Sequence, residues 1–151
     1  MPPEGGISAV GSAKVGPAGM SFAKLEATSN ARDEIARTIN VKVKNMIKNF
    51  TETTGVGDDT TVDKVFTNVS KQVAKVDLTG SQIKNVHLDQ ANEEIYVLVA
   101  LQPEVVSGVA EAMKQAAMTS YKNDKALWQK FQAKKAQEEL DREIEREFGG
   151  M

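Results

Sequence analysis

The sequence contains no cysteine, and its only histidine is His87. Without cysteine the chain can form neither a disulfide framework nor a cysteine-based zinc or redox site, and one histidine cannot build a multi-histidine metal site. A Cys–His catalytic dyad is excluded for the same reason. We therefore predict that the protein is not an enzyme and has no cofactor or metal site. His87 is expected to have a structural or exposed role.

The sequence also has neither a large surplus of one charge nor a long apolar run. It has 19 basic and 21 acidic residues, so nucleic acid is not an expected partner. The longest apolar run, Ile95–Leu101, is far shorter than the ~20 residues that a membrane-spanning helix requires. Met1 is followed by Pro2 and Pro3 rather than by the basic start and apolar stretch of a signal peptide. We expect either a cytoplasmic protein or a chain whose signal peptide has been removed.

Two short motifs look like ligand sites but lack residues that such sites require. Gly16 is followed by Pro17 and Ala18, where a phosphate-binding loop needs lysine and serine or threonine. Asp58 and Asp59 are adjacent rather than alternating, and no glutamate stands at the twelfth position of a calcium loop. We interpret the glycines as part of a strand and turn, and the aspartates as part of a turn and the N-terminus of the following helix.

The predicted fold class is α+β, with a small three-stranded sheet of antiparallel type. The predicted strands are Ile7–Val15, Ser81–Leu88 and Glu94–Leu101. The first is rich in small residues, which suits a strand that another element approaches closely. The second and third are predicted to form a hairpin. The third is apolar on both faces, so either it is the central strand or its second face is covered, and we expect it to be paired on both edges.

Apolar residues at steps of three and four predict helices, of which Met20–Phe50 and Pro103–Tyr121 are expected to pack on one face of the sheet. The predicted helices are Met20–Phe50, a shorter helix from about Thr61 to about Val76, Pro103–Tyr121 and a charged C-terminal helix over Lys125–Phe148. Ser21 is predicted to cap the first helix, and Thr60 or Thr61 the second. The second face of the sheet is expected to be an assembly surface.

The chain is expected to comprise a domain over residues 1–121 and a helical extension over residues 122–151. The extension is too charged to form a core of its own, so its aromatic residues must pack either on their own domain or on a neighbouring subunit. Both alternatives remain open from the sequence. The predicted interface residues are Tyr96, Leu98, Tyr121, Leu127, Trp128 and Phe131.

Several segments resemble, in matching order, the Lpp-twenty lipoprotein family of bacterial outer-membrane proteins. They are ISAVGSA, SNARDEIARTI, and LTGSQIKNVHLD running into EEIYVLVALQPEVV. The similarity covers about Pro2 to Ala117, and its most specific part is IYVLVAL followed by a helix that starts at Pro103. The resemblance implies a signal peptide and a lipidated cysteine upstream, a location on the periplasmic face of the outer membrane, and a non-enzymatic role.

The expected function is therefore that of a structural, self-assembling envelope protein. The family includes a flagellar basal-disc lipoprotein, and the long tail favours that branch, because rings require contacts that reach beyond one subunit. The expected partners are further copies of the chain, other flagellar or envelope proteins, and the outer membrane through a lipid anchor. The alternatives are a periplasmic peptide- or peptidoglycan-binding adaptor, which a concave polar cleft would favour, and a surface-exposed adhesin or antigen lipoprotein. A small hydrolase is a weaker rival, because the sequence offers no nucleophile with an adjacent base.

Overall fold

A computed structural model describes residues 6–74 and 81–148. The described residues form three strands and five helices, which confirms the α+β prediction. In chain order these elements are β1 (Ile7–Lys14), α1 (Met20–Thr54), α2 (Asp59–Val73), β2 (Ser81–Asp89), β3 (Glu94–Leu101), α3 (Pro103–Lys122), α4 (Lys125–Ala133) and α5 (Gln137–Phe148).

The chain divides into two compact units, each assembled from separate stretches of sequence. The first unit comprises Met1–Ile39 and Leu78–Val106, and it contains the sheet and the N-terminal part of α1. The second comprises Asn40–Asp77 and Ser107–Met151, and its described elements are helical. The domain boundary predicted at residue 121 lies inside the second unit.

The three strands form an antiparallel sheet in the order β1-β3-β2, so the predicted central strand and hairpin are confirmed. Ile7 and Ser81 both pair with Leu101 of the central strand. β2 contains a register shift between Ile83 and Asn85, which is a β-bulge that bends an edge strand. The pairing of β1 with β3 is continuous over its whole length.

α1 lies directly against the backbone of β1. A Cβ atom added at Gly11 would lie 2.0 Å from the carbonyl oxygen of Ala27 and 2.4 Å from the backbone nitrogen of Ala31. Ala23, Ala27 and Ala31 are buried along the face of the helix that meets the sheet. The expected close approach to the small-residue strand is confirmed, and only glycine can occupy position 11 at this distance.

The core of the second unit contains large side chains. The rings of Phe50 and Tyr121 have centroids 5.4 Å apart, and Phe131 lies 5.8 Å from Phe50 and 5.4 Å from Tyr121. These distances are typical of favourable aromatic pairs. Met46 and Met113 are also fully buried in this unit.

The predicted helix starts and ends differ from those in the structure. α1 begins at Met20, so Ser21 is a residue of the helix and not its cap. The helix also continues beyond Phe50 to Thr54, so the predicted end was wrong. α2 begins at Asp59, and its cap is Asp58 rather than Thr60 or Thr61.

The cap of α2 shows why the aspartate takes this role. A carboxylate oxygen of Asp58 accepts a hydrogen bond from the backbone nitrogen of Thr61 at 3.0 Å and lies 3.2 Å from the Thr61 hydroxyl. These bonds lower the pKa of Asp58. The interpretation that the aspartates serve the helix N-terminus is confirmed. α2 ends at Val73, and the predicted end at Val76 lies outside the described residues.

The C-terminal segment is two helices, α4 and α5, and the prediction of one continuous helix was wrong. Lys135 has a positive φ of 50°, and the backbone nitrogen of Ala136 donates to the carbonyl oxygen of Phe131 at 3.0 Å. In a continuous helix, Phe131 and Leu140 would point in opposite directions, because they are nine residues apart at 100° per residue. The break rotates α5 relative to α4, and both side chains are buried.

Candidate functional site

The face of the sheet opposite α1 presents an apolar centre. Gly11 pairs with Val97 and faces α1, so strand alternation places Val10, Tyr96 and Leu98 on the opposite face. The side chain of Val10 is 58% exposed, and Tyr96 and Leu98 are half-buried. Val10 pairs with Leu98 across the two strands, so their side chains are neighbours. We call Val10, Tyr96 and Leu98 the open sheet face.

One end of the open sheet face is polar. The rings of Tyr96 and His87 lie 6.3 Å apart, and the Tyr96 hydroxyl donates to a carboxylate oxygen of Glu94 at 3.3 Å. The negative charge of Glu94 raises the pKa of Tyr96. Lys14 lies 3.7 Å from the same carboxylate. His87 is exposed on the edge strand β2, in agreement with the predicted exposed role.

The predicted tail aromatics lie together in the second unit. Tyr121 and Phe131 are buried, and burial raises the pKa of the Tyr121 hydroxyl. Trp128 is half-buried and stacks on Phe131 with a centroid distance of 5.1 Å, and the ammonium group of Lys122 lies 5.3 Å from the Trp128 ring. Leu127 is also half-buried.

The structure therefore separates the predicted interface residues into two groups. Tyr96 and Leu98 belong to the open sheet face of the first unit, whereas Tyr121 and Phe131 contribute to the core of the second. Trp128 keeps part of its ring at the surface. An interface role for this set stays a prediction.

A polar groove with a volume of about 610 Å³ lies between α2 and α3. Its lining residues are Asn68, Lys71, Gln72, Ala112, Gln115, Ala116, Thr119, Ser120 and Asn123. Within it, the amide nitrogen of Asn68 donates to the Ser120 hydroxyl at 3.1 Å. The other amides and the Lys71 ammonium supply donors and acceptors for a polar ligand. We call this feature the amide groove.

The amide groove was not predicted from the sequence, although a signal was present. Asn68 and Gln72 are four residues apart, as are Gln115 and Thr119, so each pair lies on one helix face. Glu143 was not predicted either. Its side chain is fully buried, and a carboxylate oxygen of Glu143 lies 2.9 Å from a guanidinium nitrogen of Arg146. Single polar residues on helices rarely reveal whether they are buried, because tertiary packing decides it.

The described residues contain no group of three or more histidine, aspartate or glutamate side chains that could hold a metal ion. Over the same part of the chain, no helix is both long and apolar enough to cross a membrane.

Comparison with known proteins gives one family assignment. The family model described as LPP20 lipoprotein matches residues 1–102, which include all three strands and α1. A search of the curated proteins found no match. The matched segment covers the same strands and helix that carried the resemblance in the sequence, and a lipoprotein family indicates a protein associated with the bacterial envelope. The chain belongs to the LPP20 lipoprotein family.

Proposed function

We propose that this protein is a structural, self-assembling component of the bacterial envelope, held at the periplasmic face of the outer membrane by a lipid anchor. The observation that carries the proposal is the open sheet face. Val10 is 58% exposed, although it stands beside Leu98 of the central strand. Exposed apolar side chains that are contiguous are typical of surfaces that another protein covers.

The proposal extends to a ring or disc of the flagellar motor. Its support is the flagellar basal-disc branch of the family and the half-buried Trp128, a residue type that is enriched at the centres of interfaces. A contact between unlike surfaces, such as the open sheet face of one copy and the Trp128 region of the next, generates a closed ring when the rotation closes.

The test of assembly is sedimentation of the full chain at micromolar concentration. We expect the parent to form large species and Leu98→Glu to remain monomeric, because the glutamate would be buried without a partner. The matched control is Leu25→Glu, since Leu25 is 71% exposed on α1, away from the open sheet face. A parent that stays monomeric, or equal loss of assembly in both variants, would contradict the proposal.

The flagellar role is tested in the host bacterium. Cells without the protein should lose swimming while their other envelope functions continue, and electron microscopy of their motors should show a missing ring or disc. In cells that lack the protein, expression of the Leu98→Glu variant should not restore swimming, whereas expression of the Leu25→Glu variant should. Normal motility in cells that lack the protein would contradict this part of the proposal.

A second function is favoured by the amide groove, namely a peptide- or peptidoglycan-binding adaptor. Asn68, Gln72 and Gln115 present amide groups that match the hydroxyl, acetamido and peptide groups of the cell wall. Co-sedimentation with purified peptidoglycan tests it. We expect Gln72→Ala with Gln115→Ala to reduce the bound fraction, and Gln132→Ala, an exposed glutamine on α4, to leave it unchanged. Equal binding by the parent, the double variant and Gln132→Ala would contradict this second function.

A further inference from the structure

We propose that the outer edge of β1 is a docking site for an extended segment of a partner protein, which adds to the sheet beside β1. The partner segment has basic residues at alternate positions. This interaction is distinct from self-assembly through the open sheet face, because it uses the backbone of β1 and one flank of α1.

The hydrogen-bonding pattern between β1 and β3 shows which backbone N–H and C=O groups of β1 point away from β3. The backbone nitrogen of Val15 donates to the carbonyl oxygen of Glu93 at 2.8 Å, in the same register as the rest of the β1–β3 pairing. In an antiparallel ladder, alternate residues exchange hydrogen bonds with the partner strand, and the residues between them point theirs away. Gly11 therefore bonds to β3, and Val10 directs its N–H and C=O groups to the free edge.

A contact from α1 agrees with this pattern. The amide nitrogen of Asn30 donates to the carbonyl oxygen of Ser12 at 2.9 Å, which requires that carbonyl to point away from β3. Both backbone groups of Ser8 and Val10 and the N–H of Ser12 remain on the outer edge. No strand among residues 6–74 and 81–148 pairs with this edge.

The β2 edge of the sheet is more heavily protected than the β1 edge, where the Asn30 side chain caps only the Ser12 carbonyl. β2 is bulged between Ile83 and Asn85, and the backbone nitrogen of Val86 donates to the side chain of its own neighbour Asn85 at 2.9 Å. The exposed Lys84 stands in the bulge. Bulges, charges and local capping are the means by which proteins prevent an edge strand from pairing. β1 has no proline and no bulge, and its one charged residue is Lys14 at the C-terminal end of the strand.

The position of α1 decides what kind of segment can bind. The helix lies directly over β1 at Gly11, and an added strand would lie only about 4.8 Å farther out. A strand whose covering helix lies on the same face of the sheet, as in an antiparallel pair of β1 strands from two copies, would bring two helices much closer than the 8–10 Å that helix packing needs. An extended segment without a helix on that face meets no such obstacle.

The flank of α1 beside the free edge is acidic. Glu26 and Asp33 lie on the same helix face as Asn30, at steps of four and three residues, and both are exposed. Arg37 continues this face, and its guanidinium is 2.6 Å from the carboxylate of Glu34, so this pair adds no net charge to the flank. Side chains of an added strand on this side would lie beside the two carboxylates, which favours lysine or arginine at alternate positions.

The test uses the full chain and two synthetic probes, an eight-residue peptide that alternates lysine with valine and a matched peptide that alternates glutamate with valine. NMR spectra of the backbone amides report which residues are affected when a peptide binds. We expect the lysine peptide to shift and protect from exchange the amides of Val10 and Ser12, and to bind about fivefold more tightly than the glutamate peptide. Shifts confined to β2, or equal affinity for both peptides, would overturn the proposal.

Variants separate the backbone contact from the charge contact. Val10→Pro removes an outward N–H without removing a bond to β3, and it should weaken binding about tenfold, whereas Val10→Ala keeps that N–H and most of the affinity. Glu26→Lys with Asp33→Lys should reverse the preference between the peptides. Asp63→Lys, an exposed acid on α2, is the control and should change nothing.

The same titration with the Leu98→Glu variant distinguishes this proposal from the proposed function. Peptide binding by that variant supports the docking edge whether or not the parent assembles. In the Leu98→Glu variant without peptide, protection of the Val10 and Ser12 amides that rises with protein concentration would show that a second copy occupies the edge, and would overturn the assignment to a partner segment.

Discussion

In the first unit, the contact between α1 and the sheet is made by the smallest residues, Gly11, Ala27 and Ala31. In the second unit, the core is made by rings and long side chains, among them Phe50 and Phe131. The first contact has no room for an added atom, whereas the second depends on the volume of each side chain. The first is therefore most sensitive to enlargement, and the second to truncation.

The largest effect is expected when Gly11 is enlarged. Gly11→Val would place side-chain atoms where the backbone of Ala27 lies, because even a Cβ atom falls 2.0 Å from its carbonyl oxygen. The backbone of a helix cannot yield as a flexible side chain can, so we expect a loss of about 4 kcal/mol or more in the free energy of unfolding. Urea denaturation followed by circular dichroism measures it.

Gly16→Val is the matched control, since an added Cβ at Gly16 meets no atom within 4 Å. Its effect should be about 0.5 kcal/mol or less. Similar effects of the two substitutions would show that α1 does not approach β1 this closely.

Truncation in the second unit should have the next largest effect. Phe131→Ala would leave a cavity beside Phe50, Tyr121 and Trp128, and we expect it to lower the free energy of unfolding by about 3–5 kcal/mol. Phe22→Ala is the control, because Phe22 is 57% exposed and should contribute about 0.5 kcal/mol or less. Equal losses in thermal melts of the two variants would contradict a buried Phe131.

A smaller effect is expected at the start of α2. Asp58→Ala removes the acceptor for the backbone N–H of Thr61 and should cost about 1 kcal/mol. Thr60→Ala tests the alternative cap and should have little effect, since Asp58 is the capping residue. The midpoints of urea denaturation, compared between variants with the same dependence on urea concentration, provide the measurement. A larger loss of stability for Thr60→Ala than for Asp58→Ala would show that Asp58 is not the cap.

The smallest effect is a pH dependence at Glu143. Burial raises the pKa of this carboxyl above its ordinary value of 4.5, Glu139 adds to the shift, and the charge of Arg146 opposes it. A folded-state pKa above the unfolded one means that the folded protein loses stability as pH rises from about that ordinary value through the raised one. The glutamine in Glu143→Gln cannot ionise. The free energy of unfolding of this variant should therefore rise relative to that of the parent as pH rises through this window.

Chemical denaturation between acidic and neutral pH tests this difference. Glu145→Gln on the same helix is the control, because it removes a carboxylate from an exposed position instead of a buried one. A parent that gains stability relative to Glu143→Gln as pH rises would reverse the sign and show that the Arg146 pair dominates.

The sequence predicted the elements whose pattern is local. The apolar residues on both faces of Glu94–Leu101 identified the central strand, and the small residues of β1 indicated the close approach of a helix. The break at Lys135 was missed because its cause is the need to bury both Phe131 and Leu140, which no local pattern contains. The amide groove was missed for a similar reason, since its lining residues come from two helices that are distant in the chain.

The register of β1 against β3, with Ile7 opposite Leu101, has a consequence for how the chain reaches its native state. The β2–β3 hairpin closes through a short loop, whereas β1 must find its partner across the whole of α1 and α2. Because loop closure over a long separation is slow, we expect the hairpin to form first and β1 to join late. Until β1 arrives, one edge of the apolar strand β3 is unpaired. A chaperone that holds the newly made chain would give its greatest benefit during this interval, by keeping the β3 edges of different molecules apart.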